Sequence, residues 1–247
     1  DFPMQGFIDK MVELYESRIA GILHTVNDEQ GDRTLATDGT SNLIYGEPYI
    51  AETLNGITFH ISMASFFQTN PKCAEKLYQK VLDYVNESTP EGDVIMDLFC
   101  GTGTITQLLA NGSSQNVIGV DIVEAAIEDA KANAERNGVS NVEFHAADVG
   151  KFLYNFPEYQ GKIGTLVLDP PRAGIAPKTL RKVIALGAKR MVYVSCNPAT
   201  QSRDTEQLQL AGYDLVKFSL VDQFPHTSHV ECVALFELNP DKVPIDE

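Results

Sequence analysis

Hydrophobic residues in the last two thirds of the chain occur in short runs that alternate with segments of helical spacing. The short runs predict strands at residues 94–99, 117–121, 142–145, 165–169, 191–195, 213–220 and 232–237. Helical spacing predicts helices at residues 105–110, 123–137, 177–186 and 200–211. This alternation predicts an α/β fold with a mostly parallel seven-stranded sheet and helices on both faces. The last two strands have no helix between them, so they can form a hairpin at the sheet edge.

The first 62 residues follow a less regular pattern. Residues 5–22 carry apolar side chains at helical spacing, and residues 26–42 are polar and rich in Asp, Gly and Thr, as in a loop. Asn55-Gly56 lies between two short alternating runs and predicts a β-hairpin, and a helix is predicted at residues 72–85. We interpret residues 1–62 as a small β/α appendage and residues 63–247 as the catalytic domain.

A glycine turn follows the first strand of the alternating region. Gly101 and Gly103 allow a ligand to approach the backbone closely, and the helix after them points its amide-rich end at that ligand. Alone, this pattern is as typical of a structural turn as of a nucleotide site. The third glycine of the dinucleotide fingerprint is absent. Asp97 stands four residues before Gly101, as in the Asp-x-x-x-Gly-x-Gly turns of S-adenosylmethionine sites.

Each later strand of the parallel region also ends in polar residues. Asp121 ends the second strand, where an acid can accept hydrogen bonds from two ribose hydroxyls. Asp148 follows the third strand, Asp169 ends the fourth, and Ser195 and Cys196 end the fifth. One such acid is often only a helix cap. Several in succession at one edge of a sheet predict a ligand crevice.

Composition and charge narrow the class of protein. The 247 residues, 43% of them hydrophobic, suffice for one large domain with a smaller appendage. No apolar run approaches the ~20 residues of a membrane span, and no secretory signal opens the chain, so we expect no membrane partner. The widely spaced Cys73, Cys100, Cys196 and Cys232 lack metal-ligand spacing, so we expect a reduced cytoplasmic protein without a metal site. We also expect a monomer, and a fragment of a longer protein because the chain begins with Asp1.

The net charge of −15 argues against a basic surface over the whole chain. Proteins that bind nucleic acid through phosphate contacts usually present a basic face. Any affinity of this chain for nucleic acid must therefore be local or be supplied by a further segment.

Five motifs occur in order along the chain: Ser65-Phe-Phe-Gln-Thr-Asn-Pro71, Asp97-Leu-Phe-Cys-Gly-Thr-Gly103, Leu168-Asp-Pro-Pro-Arg-Ala-Gly174, Val194-Ser-Cys-Asn-Pro198 and Phe224-Pro-His-Thr-Ser-His-Val-Glu231. Together they resemble the RNA uracil-C5 methyltransferase family, whose members make 5-methyluridine in tRNA and ribosomal RNA. The resemblance covers residues 43–238 and implies a Rossmann-like class I methyltransferase fold. Residues 65–71 and 197–200 resemble the 23S ribosomal RNA branch more than the tRNA branch.

The resemblance implies a catalytic role for three residues. Cys196 would be the nucleophile that adds to carbon 6 of uracil, and Glu231 the base that removes the carbon 5 proton. Asp169 would contact the cofactor or hold the target base. A cysteine suits the nucleophile's role because its pKa of about 8.5 can be lowered by its surroundings. Contacts to S-adenosylmethionine are implied for Gln68, Phe99, Gly101, Asp121, Asp148 and Asp169.

The sequence departs from the family pattern in two ways. Family members usually carry more chain ahead of this region, often with a small RNA-binding barrel and in one branch a four-cysteine iron–sulfur site, and neither pattern occurs here. Thr104 stands where some members have asparagine. Arg172 can meet an RNA phosphate or pair with a neighbouring acid. For His226 and His229 we expect structural or RNA contacts rather than metal binding.

Three functional classes remain. The first is an RNA uracil-C5 methyltransferase, with 23S ribosomal RNA favoured and tRNA as the alternative; its target uridine must leave the base stack. The second is an amino-group methyltransferase that uses the Asp-Pro-Pro motif and needs no cysteine. The third is a non-catalytic RNA-binding relative, against which the intact Gly101, Cys196 and Glu231 argue.

Overall fold

The computed structural model describes residues 2–26, 41–63, 65–87, 94–155, 157–159 and 161–242. Its N-terminal part contains α1 (Met4–Tyr15), β1 (Gly21–Thr25), β2 (Ser41–Gly46), β3 (Tyr49–Leu54), β4 (Ile57–Ser62) and α2 (Pro71–Asn86). The alternating region contains β5 (Val94–Leu98), α3 (Thr104–Asn111), β6 (Val117–Asp121), α4 (Glu124–Arg136), β7 (Val142–Ala146), α5 (Val149–Asn155), β8 (Ile163–Leu168), α6 (Pro177–Ala185), β9 (Arg190–Ser195), α7 (Pro198–Leu210), β10 (Tyr213–Val221) and β11 (Glu231–Leu238).

One seven-stranded sheet organises the molecule, in the order β10-β11-β9-β8-β5-β6-β7. Strands β5 to β9 run parallel to one another. Strand β11 is antiparallel both to β9 and to the edge strand β10, so the last two strands form the expected hairpin. The predicted α/β architecture with a mostly parallel seven-stranded sheet is confirmed.

The central strands β5, β6, β8 and β9 are buried along almost their whole length because helices cover both faces of the sheet. Ile95 and Val192 belong to a core cluster that includes residues of α2, α3 and α4. Met96 and Met191, their neighbours in the chain, belong to a second cluster with residues of α5, α6 and α7. Full burial of each such side chain contributes about 1.5–3 kcal/mol to the free energy of folding. Because successive residues of a strand enter opposite clusters, both faces of the sheet are held against their helices.

The N-terminal helix was predicted too long. Helix α1 ends at Tyr15 and is followed by a 3-10 turn, after which β1 starts at Gly21. A Cβ atom at Gly21 would lie 1.9 Å from the carbonyl oxygen of Glu47, so this position needs glycine where the backbones cross. Apolar spacing alone did not register that constraint.

Helix α5 was not predicted, because seven residues give too short a window for a helical period. The loop predicted at residues 26–42 lies outside the described residues except at its ends, and Ser41 already belongs to β2. The division at residue 62 stays a prediction. Within the described ranges, none of the helices has the length and apolar character needed to cross a membrane.

The predicted hairpin at Asn55-Gly56 is confirmed as β3–β4, and polar side chains of α4 bind its outer strand. The backbone amide of His60 donates to Asn133 Oδ1 (2.8 Å), and Asn133 Nδ2 donates to the carbonyl oxygen of His60 (3.1 Å). One turn later, Asn137 at the C-cap of α4 donates through Nδ2 to the carbonyl oxygen of Thr58 (2.9 Å). The amide side chains thus complete hydrogen bonds along an edge that no further strand of the described ranges covers.

The glycine turn supplies a test of packing. Gly103 has φ +71°, and a Cβ there would lie 2.6 Å from a ring carbon of Phe144, whereas Gly138 has φ +67° and nothing within 4 Å. Alanine at either position incurs about 1–2 kcal/mol for the left-handed backbone. Gly103→Ala should lose about 1–3 kcal/mol more because of overpacking. Equilibrium urea unfolding measures both variants, and equal losses would contradict the packing argument.

Candidate active site

A cavity of about 890 Å³ opens where β5, β6, β8 and β9 end and β11 begins. This volume lies within the range of small-molecule sites. The cavity brings together all eight residues selected from the sequence: Gln68, Phe99, Gly101, Asp121, Asp148, Asp169, Cys196 and Glu231. Aromatic and aliphatic side chains form most of the remaining wall, so polar groups converge on an apolar cavity.

The glycine turn and Asp121 hold each other. The amide of Gly101 donates to Asp121 Oδ2 (2.9 Å), and the amide of Val123 donates to Asp121 Oδ1 (2.9 Å). Phe99, which starts the turn, has a φ of +68°, a backbone conformation that non-glycine residues rarely adopt outside strained or functional sites. Each carboxylate oxygen of Asp121 keeps a lone pair for a further donor.

Asp97 is a fully buried carboxyl group on the cavity wall. Thr106 Oγ1 donates to its Oδ2 (2.6 Å), and Oδ1 has no hydrogen-bond partner among the described residues. Burial raises the pKa of Asp97 to about 7, and the charge of Asp121 adds to this effect while the Thr106 hydrogen bond opposes it. Asp97 is therefore largely protonated below neutral pH in the free protein.

Two more carboxyl groups face the same space. Burial raises the pKa of Asp169 well above its usual value, and the charges of Asp97 and Glu231 raise it further. Burial also raises the pKa of Glu231. Carboxyl groups that are crowded in a low-dielectric space favour either bound protons or a bound cation.

Strand topology places Cys196 opposite Glu231. Ser195 pairs with Cys232 in the antiparallel ladder between β9 and β11. Cys196 follows Ser195 and Glu231 precedes Cys232, so the two side chains extend the same pairing by one position. Asp169 ends the neighbouring strand, where its amide donates to the carbonyl oxygen of Leu98 (3.3 Å). A thiol and two carboxyl groups thus meet at adjacent strand ends.

The residues after Cys196 explain why the chain turns away there. Asn197 caps α7 by accepting a hydrogen bond from the amide of Ala199, and Pro198 occupies the first helical turn. Asn197 Nδ2 also donates to the carbonyl oxygen of Arg172 (3.2 Å). The thiol is therefore fixed between a strand end and a capped helix.

The surroundings of Cys196 do not lower the pKa of its thiol in the free protein. Burial raises the pKa of this thiol, and the charges of Glu231 and Asp169 raise it further. The Arg172 guanidinium opposes the shift but does not reverse it. The thiol therefore carries its proton at neutral pH until a partner takes it.

Asp129 of α4 anchors the start of the loop at residues 65–70. Ser62 Oγ and Ser65 Oγ both donate to Asp129 Oδ2, at 2.7 and 2.5 Å. Asp129 shares a helix face with Asn133, which holds β4. No sequence pattern indicated this contact, because the partners are more than 60 residues apart.

Gln223 anchors the other end of the same loop. Asn70 Nδ2 donates to the carbonyl oxygen of Gln223 (3.1 Å), and Gln223 Nε2 donates to the carbonyl oxygen of Asn70 (3.2 Å). Gln223 Nε2 also lies 3.4 Å from Gln68 Oε1. The loop is therefore tied to the β10–β11 connection, and Gln68 is held buried at the cavity wall.

The cavity mouth carries a contact between an arginine and a histidine side chain. Arg172 Nη2 lies 3.1 Å from His229 Nδ1, and both residues line the cavity. Within the described part of the chain Arg172 forms no ion pair with an acid, and its side-chain partner there is His229. Phe66, 77% exposed, lies at the same mouth.

A sequence model of the family described as tRNA (Uracil-5-)-methyltransferase matches residues 35–239. The chain belongs to this family. The assignment made from the motifs is thus confirmed at the level of the family.

Individual relatives agree with the family match. The chain is 42% identical over 223 residues to an uncharacterized RNA methyltransferase of Clostridium acetobutylicum, covering 90% of this chain and 47% of that protein. It is 45% identical to an uncharacterized RNA methyltransferase of Chlorobaculum tepidum, covering 95% and 48%. It thus spans about half the length of these relatives.

A solved relative shares the fold. The crystal structure of Pyrococcus abyssi tRNA (uracil-54, C5)-methyltransferase in complex with S-adenosyl-L-homocysteine superposes with a TM-score of 0.73 at 35% identity. The match covers 88% of this chain and 51% of that one. The Rossmann-like methyltransferase fold is confirmed. The preference for the ribosomal RNA branch stays a prediction.

The raised pKa of Asp97 predicts how stability depends on pH. Between the unfolded value of 3.8 and the folded value of about 7, the folded protein holds a proton that the unfolded chain releases. The free energy of unfolding should therefore fall as pH rises through this window, by up to about 1.4 kcal/mol per pH unit for one proton. Asp97→Asn, which stays neutral, should make the profile flatter in urea unfolding.

Asp83→Asn is the matched control. Its hydrogen bond from Gln79 lowers the pKa of Asp83, so its contribution to stability changes below the window and the wild-type slope should persist. An unchanged slope in Asp97→Asn would contradict the assignment of the proton to this carboxyl group.

Proposed function

We propose that the protein transfers a methyl group from S-adenosylmethionine to carbon 5 of a uridine in RNA. The observation that carries the proposal is the juxtaposition of Cys196 and Glu231 across β9 and β11, in the cavity that also holds the glycine turn and Asp121. A thiol and a carboxylate at one strand edge supply the nucleophile and the base that this reaction needs.

The cavity residues fit S-adenosylmethionine. The lone pairs left on Asp121 suit the two ribose hydroxyls, and no atom would lie within 4 Å of a Cβ at Gly101, so the turn leaves room for a ligand. The crowded carboxyl groups favour a cationic ligand. When bound, S-adenosylmethionine supplies the methyl group and the positive charge of its sulfonium. Gln68, Phe99 and Asp148 are the further side chains that we assign to it.

We predict that Asp121→Ala weakens binding of S-adenosylmethionine by about 1–3 kcal/mol, the usual cost of unsatisfied buried partners. Isothermal calorimetry measures the affinity. Because Asp121 also accepts a hydrogen bond from the amide of Gly101, the midpoint of urea unfolding shows whether the substitution has destabilised the fold as well. Glu124→Ala, an exposed acid in the first turn of α4, is the control and should bind normally. Unchanged affinity in Asp121→Ala would assign the turn to another ligand.

The chemistry follows from the positions of the side chains. Carbon 5 of uracil is a poor nucleophile, but addition of the Cys196 sulfur to carbon 6 makes an enolate in which carbon 5 can accept the methyl group. The thiol proton must first leave, and the carboxylate of Asp169 beside it is the acceptor, which leaves Glu231 free to act as the base. Glu231 then takes the proton from carbon 5, the sulfur–carbon 6 bond breaks, and the double bond between carbons 5 and 6 returns.

The class of RNA rests on two different observations. Residues 65–71 and 197–200 favour 23S ribosomal RNA as the substrate. The Pyrococcus abyssi relative is named for tRNA, which supports tRNA as the alternative. Incubation of the protein and labelled methyl donor with total RNA from a strain lacking the gene, followed by mapping of the labelled uridine, separates these two.

Glu231→Gln tests the mechanism. The variant keeps the size of the side chain but not its basicity, so addition and methyl transfer proceed while the carbon 5 proton has no acceptor. We predict a covalent protein–RNA adduct that carries the labelled methyl group and migrates as a slow band on a denaturing gel.

Two controls accompany this experiment. The adduct should disappear in Cys196→Ala/Glu231→Gln and persist in Cys73→Ala/Glu231→Gln, because Cys73 begins α2 outside the cavity. Full activity of Cys196→Ala would sink the covalent route and favour an amino-group methyltransferase. An inactive Glu231→Gln without an adduct would give Glu231 an earlier role.

A further inference from the structure

The positive charge of the chain is concentrated in one stretch. Residues 149–203 contain nine of the nineteen lysines and arginines but only two of the thirty-four acidic residues. The stretch therefore carries a net charge of +7 and the rest of the chain −22, which together give the total of −15. It contains α5, α6 and the loop that carries Arg172.

Five of the nine described lysines and arginines outside this stretch form ion pairs with acids, and so do Arg190 and Arg203 within it. The described ion pairs are Lys10–Glu13, Lys80–Asp83, Lys131–Glu128, Arg190–Glu237, Arg203–Asp204, Lys217–Glu87 and Lys242–Asp214. Lys151, Arg172, Lys178 and Arg181 are exposed, and within the described ranges none of them forms an ion pair with an acid. Their charges remain available to a partner.

These charges share one surface. Lys178, Arg181 and Lys182 stand at positions i, i+3 and i+4 of α6 and lie on the same side of the helix, while Leu180 is buried against the sheet. Lys182 Nζ donates to the carbonyl oxygen of Gly150 (2.9 Å), which ties α6 to the start of α5. We call the surface formed by Lys151, Arg172, Lys178, Arg181 and Lys182 the basic face.

The basic face borders the candidate active site. Thr179, between two members of the face, lines the cavity, as do Arg172 and Val149, the first residue of α5. The exposed Asp148 lies nearby. Its Oδ1 accepts a hydrogen bond from the backbone amide of Lys151 (2.9 Å) and thereby caps α5. A linear polymer bound along the basic face therefore passes the mouth of the cavity.

We propose that the basic face binds the phosphate backbone of the RNA whose uridine enters the cavity. This inference rests on the proposed function. Phosphate contacts supply most of the non-specific affinity for nucleic acid. The Debye length is ~8 Å at physiological salt, so acids on distant surfaces do not cancel the attraction of the basic face. A row of unpaired cations matches the regularly repeated phosphates of RNA better than it matches a single small anion.

The test compares two double variants with the same change in net charge. Lys178→Glu/Arg181→Glu alters the basic face, whereas Lys10→Glu/Lys131→Glu alters exposed residues of surface ion pairs, which contribute little to stability. The probe is fluorescein-labelled polyuridine, and titrations are run at several salt concentrations. We expect the first variant to bind polyuridine at least about tenfold more weakly. The slope of the logarithm of its binding constant against the logarithm of salt concentration should become smaller in magnitude by about 1–2. The control should match the wild type.

Further measurements separate the inference from the proposed function. With total RNA as substrate, the basic-face variant should raise KM for RNA and leave kcat and the affinity for S-adenosylmethionine unchanged. If the wild-type protein binds polyuridine through the basic face but methylates no RNA, the proposed methyltransferase function is refuted and RNA binding by the basic face is retained. Equal weakening in both variants, or normal binding by the first, would overturn the inference. Equal competition by polyglutamate would overturn RNA as the partner.

Discussion

Three carboxyl groups, of Asp97, Asp169 and Glu231, share one apolar-walled cavity, and this crowding governs its chemistry. A charge in such a space is costly unless a counter-charge or hydrogen bonds compensate it. In the free protein this crowding and burial raise the pKa of all three carboxyl groups, that of Asp97 to about 7. The same crowding keeps the Cys196 thiol protonated. A cation that enters the cavity should relieve both effects together, which couples ligand binding to ionisation of the nucleophile.

The reversed strand β11 decides which acid meets the thiol. In an all-parallel sheet the residue beside Cys196 would come from another strand's carboxyl end, like Asp169. Because β11 runs antiparallel, its first residue, Glu231, lies at this edge instead. The connection that leads into β11 also carries Gln223, which holds the loop of Gln68. One topological feature thus places the proposed base and fixes a wall of the cavity.

Much of the fold and the candidate site was predictable because strand ends carry local signals. The runs ending near Asp97, Asp121 and Asp169 indicated the sheet, and the rule that ligands bind at strand carboxyl ends brought their side chains together. The end of α1 depended on backbone crossing at Gly21, and the anchoring of residues 65–70 on contacts across more than 60 residues. The direction in which the pKa of the Cys196 thiol shifts depends on how deeply the thiol is buried and on which charges lie beside it. Such properties arise from packing, which periodicity does not encode.

The distribution of charge gives the cavity two different surroundings. Its interior is lined by carboxyl groups, whereas α5 and α6 on one flank carry unpaired lysines and arginines. On the other side α4 carries Glu124, Glu128, Asp129 and Glu135, and its basic Lys131 is paired with Glu128. A polyanion is therefore attracted to one flank and repelled by the other, while a small cation is attracted to the interior. Two substrates of opposite charge can then occupy adjoining sites, with Arg172 and His229 at the boundary where a base would leave the RNA backbone and enter the cavity.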